Sequence, residues 1–247
     1  MPEFKNIAQL PPSAQKIITD YGRKLLAVHG DNIICIAVYG SAAGVNFTPG
    51  ISDINIAVVF RALDFDVFDK SLQLTSWGRK RRITAPLFLT ADYIRDSLDI
   101  FPIEFSEIKD QHVVIFGEDI FLPLCIDARH MRLLCEAQIK GKLLRVRQAY
   151  LESGGNARVV KNILKDSLNS LMPVFRQLVR LAGGQPSIHR QELLKQLAAQ
   201  FSMDVSVLTA IYHDKQRIAI LHPSRAREHL KDYLKVLEHL AARIDQL

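Results

Sequence analysis

Apolar residues in the first half of the chain switch between helical and strand spacing. From residue 12 to 28, Ile17, Ile18, Tyr21, Leu25 and Ala27 form a stripe at helical spacing, and Ser13 is placed to cap that helix. Asp31-Asn32 reads as a turn. Ile33–Tyr39 is a continuous apolar run, which predicts a buried strand. Small residues follow Gly40-Ser41, and Pro49-Gly50 marks a second turn. The pattern then predicts a strand over Ser52–Phe60, a helix over residues 63–80 and a third strand over residues 84–90. A short helix is expected over residues 93–98, with Asp92 close to its start. Alternation of Phe101, Ile103 and Phe105 predicts a fourth strand over residues 101–108.

After residue 128 strand signals nearly vanish. Residues 131–151, 157–181, 188–201, 205–217 and 226–244 all carry helical patterns. Gly154-Gly155, Gly183-Gly184-Gln185-Pro186, Ser202-Met203-Asp204 and His222-Pro223-Ser224 separate them. Such short breaks favour antiparallel neighbours in a bundle. The expected fold class is therefore α+β, with a mixed sheet over residues 1–127, followed by an all-α helical bundle over residues 128–247.

Composition bounds the function without naming it. The chain is 48% hydrophobic and 23% charged, ordinary for a soluble globular protein. No apolar stretch is long enough to span a membrane. The N-terminal residues lack a basic start followed by an apolar run, so a cytoplasmic protein is expected. The three cysteines, Cys35, Cys125 and Cys135, include no CxxC pair; Cys35 and Cys135 read as small buried hydrophobes. The formal net charge of +6 favours an anionic ligand. The run Arg79-Lys80-Arg81-Arg82 has only Trp77 nearby for base stacking, so it reads as a solvated helix end and nucleic acid is not expected. No P-loop, GxSxG or HExxH motif is present.

The informative stretch is Val38–Phe60. A buried strand ends at Gly40, where the missing side chain lets another group approach the backbone. Ser41 follows at a turn whose N–H groups and hydroxyl suit an anion. Taken alone, this is also an ordinary strand-to-helix turn with a capping serine. The next strand changes the balance. Ile54, Ile56 and Val58 point one way, and Asp53 and Asn55 the other, about 7 Å apart along the chain. An acid at a strand end beside a phosphate-binding turn suits a Mg²⁺-chelated triphosphate.

Gly40-Ser41, eleven intervening residues and then Asp53-Ile54-Asn55-Ile56 resemble the signature of the nucleotidyltransferase superfamily of the DNA polymerase beta type. The helical second half is similar to that of antibiotic nucleotidyltransferases of the kanamycin type. The resemblance implies transfer of a nucleoside monophosphate from a nucleoside triphosphate to a hydroxyl of a small molecule or protein, with Mg²⁺ or Mn²⁺. It implies that Gly40, Ser41 and Ser52 hold phosphates, that Asp53 and Asn55 face metal, and that a later strand supplies a third carboxylate. Glu104, opposite Phe101, Ile103 and Phe105, is the candidate for that third acid, with Glu107 as runner-up. Lys140, on the first helix of the second domain and on one face with Arg147, is the candidate cation for the triphosphate. Asn55 departs from the pattern, which wants Asp or Glu there. An amide oxygen can ligate a hard cation but brings no charge. The alternative is therefore a catalytically impaired nucleotide-binding or regulatory protein of the same fold. Apolar-rich helices would also accommodate a homodimer.

Overall fold

The structure, a computed structural model, describes residues 3–45 and 47–247. Met1 and Pro2 of the N-terminal stretch, and Asn46 in the gap between Ser41 and Asp53, lie outside the described residues. The chain divides into two compact units, Met1–Ile126 and Asp127–Leu247.

The first unit is built on a four-stranded mixed sheet in the order β3-β2-β1-β4. Its elements are α1 (Pro12–His29), β1 (Ile33–Tyr39), β2 (Asn55–Phe60), α2 (Phe65–Arg79), β3 (Leu87–Thr90), α3 (Ala91–Asp96), α4 (Pro102–Asp110) and β4 (His112–Gly117). Central β1 pairs antiparallel with β2 and with β4, while β2 and β3 run parallel, joined by α2. Parallel neighbours need such a crossover.

Both faces of this sheet are covered. Ile36, Val38, Ile54, Ile56, Val58 and Phe60 pack with Ile18, Tyr21 and Leu25 of α1 and Val67 and Leu74 of α2. On the opposite face Cys35, Ala37, Ala57 and Val59 pack with Ile94 of α3 and Phe105 and Ile108 of α4. Each fully buried aliphatic side chain contributes roughly 1.5–3 kcal/mol. The strand readings assigned the Asp53–Asn55 face to the site. The structure opens that face only at its end, because Ala57 and Val59 are already in a core.

Three expectations change. The stretch read as a strand over residues 101–108 is instead helix from Pro102 to Asp110, with Phe101 at its N-cap. Pro102 takes the first helical position, where its fixed φ is favourable and its missing N–H costs nothing. Phe105 N–H then bonds Phe101 O at 3.1 Å, and Phe105 and Ile108 meet at i, i+3 on the buried face. Three alternating residues were too short a run to fix the period. The fourth strand is instead His112–Gly117, with Val113, Val114 and Ile115 buried. Finally, Pro11 rather than Ser13 caps α1, again with proline at the first position.

The second unit contains α5 (Ala128–Glu152), α6 (Ala157–Leu181), α7 (Arg190–Phe201), α8 (Ser206–Lys215) and α9 (Ala226–Ile244). Helix α6 packs on each of the other four, and its buried residues lie on more than one side of the helix. Tyr233 of α9 is wholly buried, and its hydroxyl meets Ser167 Oγ at 2.7 Å. Asp214, 7% exposed, sits 2.8 Å from Lys161 Nζ and 2.6 Å from Lys165 Nζ. It also accepts Leu221 N–H at 2.9 Å, which ties down the loop after α8. No helix among the described residues is long and apolar enough to cross a membrane.

Candidate nucleotide site

The site lies where β1 ends, β2 begins and the segment before β3 crosses them. Tyr39 stands opposite Asn55 in the β1–β2 register, so the next residue, Gly40, leaves the sheet beside the start of β2. Gly40 adopts φ +70°, and its N–H bonds Gln111 O at 3.1 Å, just ahead of β4. A Cβ at Gly40 would lie 3.2 Å from Asn55 Nδ2. The missing side chain thus admits the asparagine amide against the backbone. Gly40–Ala43 then forms a tight 3-10 turn, closed by Gly44 N–H to Ser41 O at 3.2 Å. Ser41 is half-buried in that turn.

Ser52 and Asp53 lie in the loop that feeds β2 rather than in the strand itself. Ser52 N–H bonds Thr48 O at 2.8 Å, and Ser52 Oγ accepts Thr48 N–H at 2.9 Å. Its hydroxyl oxygen therefore closes the 48–52 loop, leaving its proton as the part that can meet a ligand. Asp53 is exposed, and its Oδ1 stands 3.0 Å from Arg82 Nη2. The same guanidinium donates to Ile51 O and, through Nε, to Ser52 O at 3.4 Å. The Arg82 main chain is held as firmly: its carbonyl accepts Ile54 N–H at 2.8 Å, and its φ is +62°.

Asn55 is half-buried, and its Oδ1 accepts a hydrogen bond from Thr84 Oγ1 at 3.0 Å. Ile83 bridges Ile54 in parallel pairing, so residues 82–84 run alongside the Asp53–Asn55 segment. The segment that leads into β3 thus brings Arg82 and Thr84 alongside the start of β2. Residues 82–90 contain no Asp or Glu.

Glu104 is not on that strand. It lies exposed in the first turn of α4, whose buried side carries Phe105 and Ile108. Lys140 is answered within its own unit: Nζ bonds Glu136 and lies 3.6 Å from Asp245, the residue that follows α9. Arg147, on the same face, bonds Glu238 of α9 at 2.7 Å. The shared face read from the sequence exists, and it faces carboxylates of an antiparallel neighbour.

Sequence reasoning brought Gly40, Asn55 and Asp53 to one end of the sheet. It missed Arg82 and Thr84. Arg82 was read as part of a solvated helix end, yet α2 stops at Arg79 and the next turn directs Arg82 back onto the loop. The available signal was Ile83-Thr84, just ahead of the strand that pairs with β2, where Ile83 bridges Ile54.

The donor set does not fit two divalent cations. A Mg²⁺ ion is usually bound by one or two carboxylates together with substrate phosphates, so two ions call for more than one acid. Asp53 is the acid at this strand end, and it is paired to a guanidinium. Among the described residues no group of three or more His, Cys, Asp or Glu is arranged to hold a metal.

No family model and no curated protein matches the chain. Among solved structures it is similar to spectinomycin adenyltransferase AAD(9) from Enterococcus faecialis, crystallised with ATP and spectinomycin. The identity is 14%, the match covers 87% of this chain and 99% of that chain, and the TM-score is 0.43.

Proposed function

We propose that the first unit binds the polyphosphate tail of a nucleoside triphosphate at the Gly40–Ala43 turn, and that this chain uses the site for binding rather than for two-metal nucleotidyl transfer. One observation carries this reading. The Gly40 turn lies against Asn55 at the start of β2, and the acid of that strand end, Asp53, has Arg82 on it. Turn N–H groups and a guanidinium suit phosphate oxygens. A single paired carboxylate does not suit two metal ions.

Transfer of a nucleoside monophosphate to a hydroxyl acceptor, with Mg²⁺, is the reading this one replaces. The two separate in one experiment. Labelled ATP, GTP, CTP and UTP are incubated with the protein, Mg²⁺ or Mn²⁺ and a panel of hydroxyl-bearing small molecules and proteins, and binding and pyrophosphate are both measured. Binding without pyrophosphate release is expected. Release that disappears in Asp53→Ala would restore the transferase.

A further inference from the structure

We infer that Arg82 takes the place of a metal ion at this site, so that a nucleoside triphosphate binds this chain without a divalent cation. The inference rests on the nucleotide-binding reading above and deepens it. A metal at Asp53 would draw on the carboxylate lone pairs. Here Oδ1 is already 3.0 Å from Arg82 Nη2. The guanidinium is not a loose partner. Acceptors from three consecutive residues, Ile51 O, Ser52 O and Asp53 Oδ1, surround its Nε and Nη2 edge. The Arg82 carbonyl meanwhile holds Ile54 N–H. Both ends of the residue are fixed against the loop that leads into β2.

Arginine has five N–H donors in a rigid fork. Nε and Nη2 are committed to the loop, which leaves the Nη1 edge for phosphate oxygens, a geometry guanidinium favours. The carboxylate, in this arrangement, meets the cation rather than a metal, while the Ile51 and Ser52 carbonyls keep the guanidinium in place. Asn55 fits the same scheme. With its oxygen on Thr84 and its Nδ2 toward Gly40, it presents a donor, not an anion, at the turn. A strand end with one neutralised acid and an uncharged amide repels a triphosphate less than a ring of bare carboxylates would.

The scheme predicts opposite signs for the two partners of the ion pair. Calorimetric titration of ATP into the full chain is run in EDTA and in excess Mg²⁺. ATP is expected to bind in EDTA within about threefold of its affinity in Mg²⁺. Arg82→Gln is expected to weaken binding in EDTA at least tenfold, and Asp53→Asn to leave it unchanged or tighten it, since a negative charge is removed and the guanidinium stays. Circular dichroism checks that both variants fold, and Asp53→Asn decides alone if Arg82→Gln does not. Binding that requires Mg²⁺, or that Asp53→Asn abolishes, overturns the inference while leaving nucleotide binding intact. No binding of any nucleoside triphosphate in either buffer overturns the nucleotide reading and this inference with it.

Discussion

Gly40→Ala tests whether the turn and Asn55 form one unit. The residue sits at φ +70°, where an L side chain costs about 1–2 kcal/mol. The added Cβ would also lie 3.2 Å from Asn55 Nδ2, so the amide must shift by a few tenths of an ångström. That shift strains the 3.0 Å bond from Thr84 Oγ1 to Asn55 Oδ1, a neutral hydrogen bond worth about 1 kcal/mol. The expected loss is therefore roughly 2–3 kcal/mol, of which about 1 belongs to Asn55. The sequence has one tryptophan, Trp77, on α2 and stacked on Tyr21 at 6.0 Å. Its fluorescence follows urea unfolding of the first unit within the full chain. In an Asn55→Ala background the same substitution should cost about 1 kcal/mol less, and that difference is the coupling energy of the pair. A loss below about 0.5 kcal/mol, or strict additivity of the two changes, refutes the geometry.

Asp214→Asn should destabilise the second unit by about 2–4 kcal/mol, below the usual cost of breaking a buried pair because Lys161 and Lys165 reach water. Burial alone would raise the Asp214 carboxyl, but the two lysines and Leu221 N–H outweigh it and hold it below its ordinary 3.8. The stabilisation is thus present above that value and lost as pH falls through the lower folded value, so the gap from wild type should be full at pH 7 and shrink below about pH 4 in helical-signal melts. Burial pushes the Cys35 and Cys135 thiols up to about 12, whereas Cys125 is exposed. Ellman's reagent at pH 8 should titrate one thiol in the native chain and three after denaturation; a faster second native thiol would contradict that packing. Glu104→Gln, on the exposed side of α4, should change neither ATP affinity nor stability by more than about 0.5 kcal/mol. Asn55→Asp alone should not create a Mn²⁺ site by electron paramagnetic resonance, because Arg82 still holds Asp53; a tightly bound ion in that single variant would show that the guanidinium yields.

The sequence made the elements legible where one period ran long. Helices 157–181 and 226–244, and strand Ile33–Tyr39, stand at their expected bounds. It failed where a short run suited two periods. Phe101, Ile103 and Phe105 alternate, but Pro102 and the charged residues after it favour the helix. The run from His112 to Phe116, five residues between Gln111 and Gly117, is a strand that the pattern contained and the reading passed over. Within the site, the Gly40–Ser41 turn was readable because glycine marks a backbone need. Arg82 was not, because its direction depends on where α2 stops and on a left-handed residue after it.

That asymmetry bears on the chemistry. A turn that needs glycine and a strand that must fill a core are constrained by folding itself. Carboxylates at a strand end are not, since they lie outside both apolar clusters. Once Asn occupies position 55, its amide oxygen takes the Thr84 proton and its nitrogen the space over Gly40. The amide then serves packing, with a donor and no charge at the turn. Arg82 completes the change by joining Asp53 to the carbonyls of its own loop. The frame and the Gly40 turn are thus held by forces other than those that would keep metal chemistry, which is why the proposed recognition of a polyphosphate asks for no second carboxylate.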